Sequence, residues 1–408
     1  MNFKKLLEKY KEGKASAEEI NIVEKELEKY QAIEDYYAED FPLQLNQQSF
    51  SSEDLSNEKF EDRSEIKNIN KVINLRLSKV VLASVLAVVL LYVSIFYVVS
   101  PIVDRFYYNP AEISEGEYFP DMYFDLHAIT TLNLPGYSLT GIKHIESEGF
   151  GNYSITYYKH NLFTRENSVH SLELRKDLPH GTLTGLFDLN PRYSSGGFNI
   201  VADHTLYERG FYNDQVDNMT KYLQELNSVA YVSAYMTFEE DLSLEEFAEM
   251  NLKKRELDFK WVGVRTHDKD DIPEDRPNHL TGFNPDPNDG SVTNDSPDPK
   301  KYPTFNLVEH FREARPGDST GWAKSYEEHY RSLLSYLSNR QDAVEVLETY
   351  PDKVEYYQQA LDYIDENGMN VFGVLVHGEV EDILELVEEN DLISLQIDQA
   401  LPLSPNLN

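Results

Sequence analysis

Residues Val80 to Ser100, VVLASVLAVVLLYVSIFYVVS, form an uncharged run of 21 residues whose only polar groups are three serines and two tyrosines. At ~1.5 Å rise per residue a helix of this length reaches about 31 Å, which matches the roughly 30 Å hydrocarbon core of a bilayer. Buried helices of soluble proteins usually stop at about 10 to 14 apolar residues and carry a polar stripe. A transmembrane helix is therefore expected at 80–103, and no second apolar stretch of spanning length exists. On its N-terminal side Arg63, Lys67, Lys71, Arg76 and Lys79 face one nearby acid, Glu65, while Asp104, Arg105, Glu112, Glu115 and Glu117 follow it. Excess Lys and Arg stays in the cytoplasm, so residues 1–79 are expected inside and 104–408 outside. Phe106, Tyr107 and Tyr108 fall where an outer aromatic belt is expected. With 79 residues ahead of it, the run reads as an anchor and not as a cleaved signal peptide.

Charge divides the chain as sharply as the membrane does. The first 79 residues carry 13 basic and 17 acidic side chains, net −4, and the remaining 24 and 55, net −31. An outer part this acidic repels nucleic acid and anionic lipid, so no direct nucleic-acid binding is expected. The absence of cysteine excludes disulfides, thiolate zinc sites and a cysteine nucleophile.

In the inner segment, MNFKKLLEKYKEGK predicts a short basic helix ending at Gly13. Ser16-Ala17-Glu18-Glu19 has the spacing of a capping box that starts a second helix. Ile20, Val23, Leu27 and Tyr30 then recur at about helical spacing. Such an amphipathic helix, with Leu6, Leu7 and Tyr10 before it, builds at best a two-helix hairpin, so its stripe either closes weakly or docks on a partner. Between Ser16 and Glu65 stand 15 acids and four bases. That charge suits a solvated helical face or a binder of a basic, nucleic-acid-binding protein. Residues 41–62 are polar, and Ile66, Ile69, Val72, Ile73 and Leu77 predict a helix running into the membrane.

In the outer segment, residues 125–207 read as β structure: Ala128 to Leu134, Tyr153 to Tyr158 and Val169 to Leu174, punctuated at Pro135-Gly136, Gly149 to Asn152 and Gly196-Gly197. Next come a helix near Gln215 to Leu226, a strand Val229 to Phe238, a helix opened by Ser243 with Glu246, and a strand Phe259 to Arg265. From Asp268 to Pro303 the prolines, glycines and aspartates read as a long mobile loop. Helices at Tyr326 to Leu337 and Val354 to Glu366, a buried strand Val371 to Val376 and a helix from Val380 complete a compact module. The expected class is α+β. It comprises a helical segment at 1–79, the span at 80–103, a β-rich region at 104–210 and an α/β module at 211–395 with the loop at 268–303.

Chemistry-bearing patterns were weighed one at a time. Gly317-Asp318-Ser319-Thr320-Gly321 matches the nucleophile elbow G-x-S-x-G, but ArgGluAlaArgPro before it is no strand, and a helix start is a simpler use for Asp318 or Ser319. The acidic stretch Asn284 to Asp298 lacks a glycine at the sixth position of a calcium loop. His310 and His329 have no second histidine one turn away and read as surface residues. With no glycine-rich phosphate loop either, no catalytic, metal or cofactor-binding residue is expected.

The chain resembles membrane-bound anti-sigma factors of Gram-positive bacteria with paired sigma-factor-regulator N-terminal and C-terminal domains. The likeness lies in YKEGKASAEEINIVEKELEKYQAIEDYYAED, in RLSKVVLASVLAVVLLYVSIFYVVSPIVDRFYY, and in SVAYVSAYMTFEEDLSLEEF, DFKWVGVRT, Thr281-Gly282-Phe283, YEEHYRSLLSYL and YYQQALDYIDENGMNVFGVLVHGEVEDILEL. The resemblance implies that the inner helices sequester an extracytoplasmic-function sigma factor and release it on cell-envelope stress, with a second membrane regulator as a further partner. Ile20, Val23, Leu27 and Tyr30 are the expected contact residues, taken from the apolar stripe. Having no cysteine, and no histidine before His127, the chain would be of the zinc-free kind. The competing reading is an envelope-assembly or adhesion protein whose inner segment is only an anchor. Ser100-Pro101 and the connector to Pro120 read as extended and open to a protease, so release by cleavage there, or its prevention by a shielding partner, is expected.

Overall fold

A computed structural model describes residues 9–11, 13–40, 62–114, 119–175, 211–268, 280–287, 296–307, 317–348 and 353–405. The chain forms two compact units, Met1–Val85 and Leu86–Asn408.

In the first unit a helical turn at 9–11 ends at Gly13, whose φ of +69° is the left-handed conformation that glycine adopts without strain. The N–H of Gly13 bonds the carbonyl of Tyr10 and that of Lys14 reaches back to Lys9, which satisfies two carbonyls at the helix end. Helix α1 (Ala17–Asp40) starts at once. Its capping box is complete: Glu19 N–H donates to Ser16 Oγ at 3.3 Å, and Ser16 N–H donates to Glu19 Oε2 at 3.0 Å. Helix α2 (Asp62–Ser94) carries the apolar run, and every residue from Ile73 to Val99 is exposed.

The run continues as a π-helical turn, Ile95–Val99, and a short helix α3 (Ser100–Asp104). Pro101 explains the change of pitch, because its ring lacks an N–H and crowds the carbonyl four residues back. Widening the preceding turn, with Ser100 N–H bonding the carbonyl of Ile95, accommodates it without breaking the helix. The apolar helix therefore extends over Ile73–Asp104, long enough to cross a bilayer once.

Residues Ala128 to Leu134, expected as a strand, instead belong to helix α4 (Met122–Asn133). Met122 and the nine consecutive residues Phe124 to Leu132 are buried, so the helix shows no polar face and no helical period. Strands β1 (Tyr137–Gly149), β2 (Asn152–Asn161) and β3 (Asn167–Leu174) form an antiparallel meander. Residues 176–210, the rest of the expected β region, lie outside the described residues.

The larger sheet has the order β6-β5-β7-β4-β8, all neighbours antiparallel. Its strands are β4 (Tyr231–Ser243), β5 (Asp258–Val264), β6 (Thr281–Phe283), β7 (Asn370–Glu379) and β8 (Leu392–Leu401). Helices α5 (Phe211–Glu225), α6 (Leu244–Lys253), α7 (Ser319–Ser338), α8 (Gln341–Leu347), α9 (Lys353–Asn367) and α10 (Val380–Glu389) connect and cover them. Val232, Ala234, Met236 and Phe238 of β4 join the main core with these helices, while Tyr235 meets Trp261, Leu280, Phe372 and Leu375 in a second cluster. The base of the meander covers that second side: Phe163 stacks on Tyr231 at 5.5 Å, and Trp261 Nε1 donates to the Thr131 carbonyl at 3.0 Å. Burial on both faces is why β7 reads as a continuous apolar run.

Within the stretch expected as a mobile loop, Thr281–Phe283 is strand β6 and Tyr302 is buried, and just beyond it Thr304 and Phe305 are buried too. Aromatic anchors outweigh the turn-forming residues around them: Phe305 packs edge-on against Phe124 and Tyr336.

Candidate partner-binding site and membrane joint

Helix α1 divides the four expected contact residues among different environments. Val23 is fully buried, Ile20 is half-buried and Leu27 is 42% exposed; the Tyr30 side chain lies outside the described residues. Lys9 pairs with Glu19 at 3.0 Å and Tyr10 hydroxyl reaches Glu24 at 3.5 Å, so the preceding turn folds against the start of α1. The Lys9 ammonium and Ser16 N–H hold the Glu19 carboxyl below its ordinary value, the backbone bond being the larger cause. Ile22, outside the stripe read from sequence, is 49% exposed. Among the described residues of this hairpin, the exposed large apolar side chains are Leu27 and Ile22, set among Glu24, Lys25, Glu28 and Lys29.

In the second unit the C-terminal end of the apolar helix is gripped by the β1–β2 turn. Phe150 and Gly151 have φ of +56° and +78°, the two positive values of a type I′ hairpin turn. Phe150 N–H donates to Ser100 Oγ at 2.7 Å and Gly151 N–H to Asp104 Oδ1 at 2.5 Å. Ser100 is thereby buried, unlike every residue from Ile73 to Val99. The connector expected as extended from Pro101 to Pro120 is only partly so among the described residues, and 115–118 lie outside them. Residues 100–104 are helical, and Tyr108, expected in the aromatic belt, is buried with its hydroxyl on Asp125 Oδ2 at 2.8 Å.

Asp125 is the centre of that attachment. Arg340 clamps it through Nε to Oδ1 and Nη2 to Oδ2, both at 2.8 Å, and Tyr336 hydroxyl donates to Oδ1 at 2.7 Å. Burial pushes the carboxyl up from its ordinary value, and the guanidinium and two phenols pull it back down. With four donors converging, the ionised form is accommodated in a position with no solvent exposure. Asp121, one turn earlier, accepts from Ser114 N–H and Oγ at 3.0 and 2.8 Å, so the connector is tied down twice. A similar knot joins α4 to α9: Tyr357 hydroxyl and Asn133 donate to the buried Glu348, and Lys353 Nζ donates to Asn133 Oδ1 at 2.9 Å. Burial raises Glu348, with the Lys353 charge and Tyr357 hydroxyl opposing.

The patterns weighed for chemistry resolve into structure. Asp318 caps α7 by accepting from Gly321 N–H at 2.9 Å. His329, expected on the surface, is buried and donates from Nδ1 to the Thr304 carbonyl at 3.0 Å, because α7 turns it inward against the Phe283 ring. His310 lies outside the described residues. Asp286 of the acidic stretch pairs at 2.8 Å with Lys260, which is only 3% exposed. Among the described residues no group of three or more histidines and acids is placed to hold a metal ion.

One comparison identifies the larger sheet and its helices. Residues 223–399 match the sequence model of the sigma factor regulator C-terminal family. The match begins at the end of α5 and closes within β8, so the similarity covers the five-stranded sheet and the helices α6 to α10. It leaves out the α1 hairpin, the apolar helix, α4 and the β1–β3 meander. No curated protein and no solved structure matches the chain.

Proposed function

We propose that this chain is a single-pass membrane anti-sigma factor. The observation that carries the reading is the sigma factor regulator C-terminal match at 223–399, separated by one membrane-length helix from an acidic helical hairpin with exposed apolar residues. In this reading residues 1–79 lie in the cytoplasm, as the excess of Lys and Arg before the span argues, and residues 104–408 lie outside. The hairpin sequesters an extracytoplasmic-function sigma factor of the zinc-free-regulated kind in a Gram-positive cell. Leu27 and Ile22 supply the apolar contact and Tyr30 a further one, with Val23 buried and Ile20 half-buried on the same helix. Carboxylates along α1 compete for the basic surface a sigma factor offers to DNA. An envelope signal, or a second membrane regulator bound outside, releases the sigma factor. The test is to add the full chain, in detergent, to RNA polymerase programmed with purified extracytoplasmic-function sigma factors. One sigma factor should be retained on the chain, and its transcript should be lost. No retention of any of them, with transcription unchanged, overturns the reading.

A further inference from the structure

The β1–β2 tip reaches farther along the apolar helix than the connector alone requires. A Cβ at Gly149 would lie 3.1 Å from Ser100 Oγ and 3.4 Å from the Phe96 ring. Phe96 precedes Ser100 by four residues, about 6 Å along a helix axis. The tip therefore touches the helix on the inner side of Ser100, within the last apolar turn. At Gly151 a Cβ would stand 2.9 Å from the Tyr107 ring, so glycine is required there by close approach as well as by φ.

A turn at that level meets the boundary between headgroups and hydrocarbon, where an unpaired backbone N–H is costly. The tip has paired the three it brings. Gly149 N–H donates to Ser147 Oγ at 3.3 Å, Phe150 N–H to Ser100 Oγ and Gly151 N–H to Asp104 Oδ1. Asn152 Nδ2 also covers the Gly149 carbonyl at 3.0 Å. Around it the aromatic surface is open: Phe106 is 79% and Tyr107 45% exposed, and Phe150 is half-buried. Aromatic rings favour this zone because one end is apolar and the other tolerates water. Exposed Glu146 and Glu148 higher on β1 set a limit to entry, since carboxylates do not follow the rings into hydrocarbon.

We propose that the Gly149–Phe150–Gly151 tip, with Phe106 and Tyr107, seats in the lipid headgroup layer of the outer leaflet. The partner is the lipid surface, and the meander becomes a second point of attachment beside the span. The proposal rests on the reading of Ile73–Asp104 as a transmembrane helix, and its test separates the two.

The chain has no cysteine, so single cysteines introduced into the full-length protein accept a nitroxide without background. Labels at Phe150→Cys and Phe106→Cys report the seat, one at Leu90→Cys reports mid-span, and one at the exposed Glu355→Cys reports water. In phosphatidylcholine vesicles, collision with oxygen is compared with collision with a nickel chelate. The oxygen-to-nickel ratio at 150 and 106 should fall between the values at 90 and 355. A ratio at 150 equal to that at 355, with 90 shielded, overturns the seat and leaves the span standing. A ratio at 90 equal to that at 355 overturns the span and the seat together. Tryptophan emission matching the parent verifies that Phe150→Cys is folded, and the exposed Phe106 site gives the same readout without touching the turn.

Discussion

Asp125→Ala removes the carboxylate that four donors share, and its cost follows from what each donor becomes. The hydroxyls of Tyr108 and Tyr336 sit on side chains only 8% and 4% exposed, so both are left buried without an acceptor. An orphaned buried hydroxyl costs about 1–3 kcal/mol. Arg340 is 27% exposed and keeps Asp121 Oδ2 at 3.4 Å, so it recovers part of its hydration. Breaking one side of a buried ion pair typically costs about 3–5 kcal/mol, and the partial exposure of Arg340 puts the sum near the lower end, about 3 kcal/mol. Tyr108→Phe removes a single donor and is expected to cost about 1 kcal/mol. The double variant should cost less than the two added, because the residues share one contact. Urea unfolding of the full chain in detergent, followed by tryptophan emission, reads this directly, since Trp261 and Trp322 are the chain's two tryptophans and both are buried in the second unit. Loosening should also appear as faster protease cleavage between Pro101 and Ser114, which Tyr108 and Asp121 now hold down. A loss below about 1 kcal/mol for Asp125→Ala, with additive behaviour against Tyr108→Phe, would refute the reasoning that this node is ionised and shared.

Three other outcomes are expected. Leu27→Asp should weaken sigma-factor retention more than a hundredfold, about 3 kcal/mol, whereas Lys29→Asp, at an exposed lysine whose ammonium pairs with Glu26, should change it little in the same titration. Gly151→Ala forces a Cβ onto Tyr107 at a φ of +78°, and a loss of about 1–3 kcal/mol in the urea experiment is expected, with increased mobility of a label at Phe106. Acid should destabilise the second unit through His127, which burial, and then the nearby His329, depress to about 3. A base depressed on folding contributes stability present above its unfolded pKa near 6.5 and lost as pH falls below it, because the unfolded chain takes up the proton first. Buried His377 is depressed in the same way, so each histidine adds a slope approaching about 1.4 kcal/mol per pH unit, and His127→Gln should remove its share and leave that of His377 between pH 6.5 and 5 in urea titrations.

Much of this architecture could be read from local patterns. Ser16 with Glu19 and Ser243 with Glu246 both form the full capping box, because a cap needs only residues three apart. The membrane-length helix is a matter of unbroken apolarity and declares itself in one dimension. Strands β4, β5 and β7 were legible to within about five residues, β7 because it is buried on both faces and reads as pure apolar sequence, whereas β6 was expected as a loop and β8 was not expected at all. Patterning failed where neighbours, and not the chain's own period, decide burial. Met122–Asn133 alternates like a strand over Ala128 to Leu134, yet it is a helix enclosed on all sides. Thr281–Phe283, Tyr302 and Phe305 sit among turn-forming residues, yet strand pairing with β5 and contact with Tyr336 hold them. In α1 the repeat of Ile20, Val23 and Leu27 was visible, but only folding shows that Val23 is consumed inside the first unit while Ile22 is left outside. The membrane joint depends on partners roughly fifty residues apart, Ser100 with Phe150 and Asp104 with Gly151, and the Asp125 node on partners more than two hundred apart. Local propensity and hydrophobic period are short-range properties that a sequence carries openly. Which carboxylate meets which guanidinium, and which turn meets which helix end, depends on chain closure over long separations, and only the tertiary structure decides it.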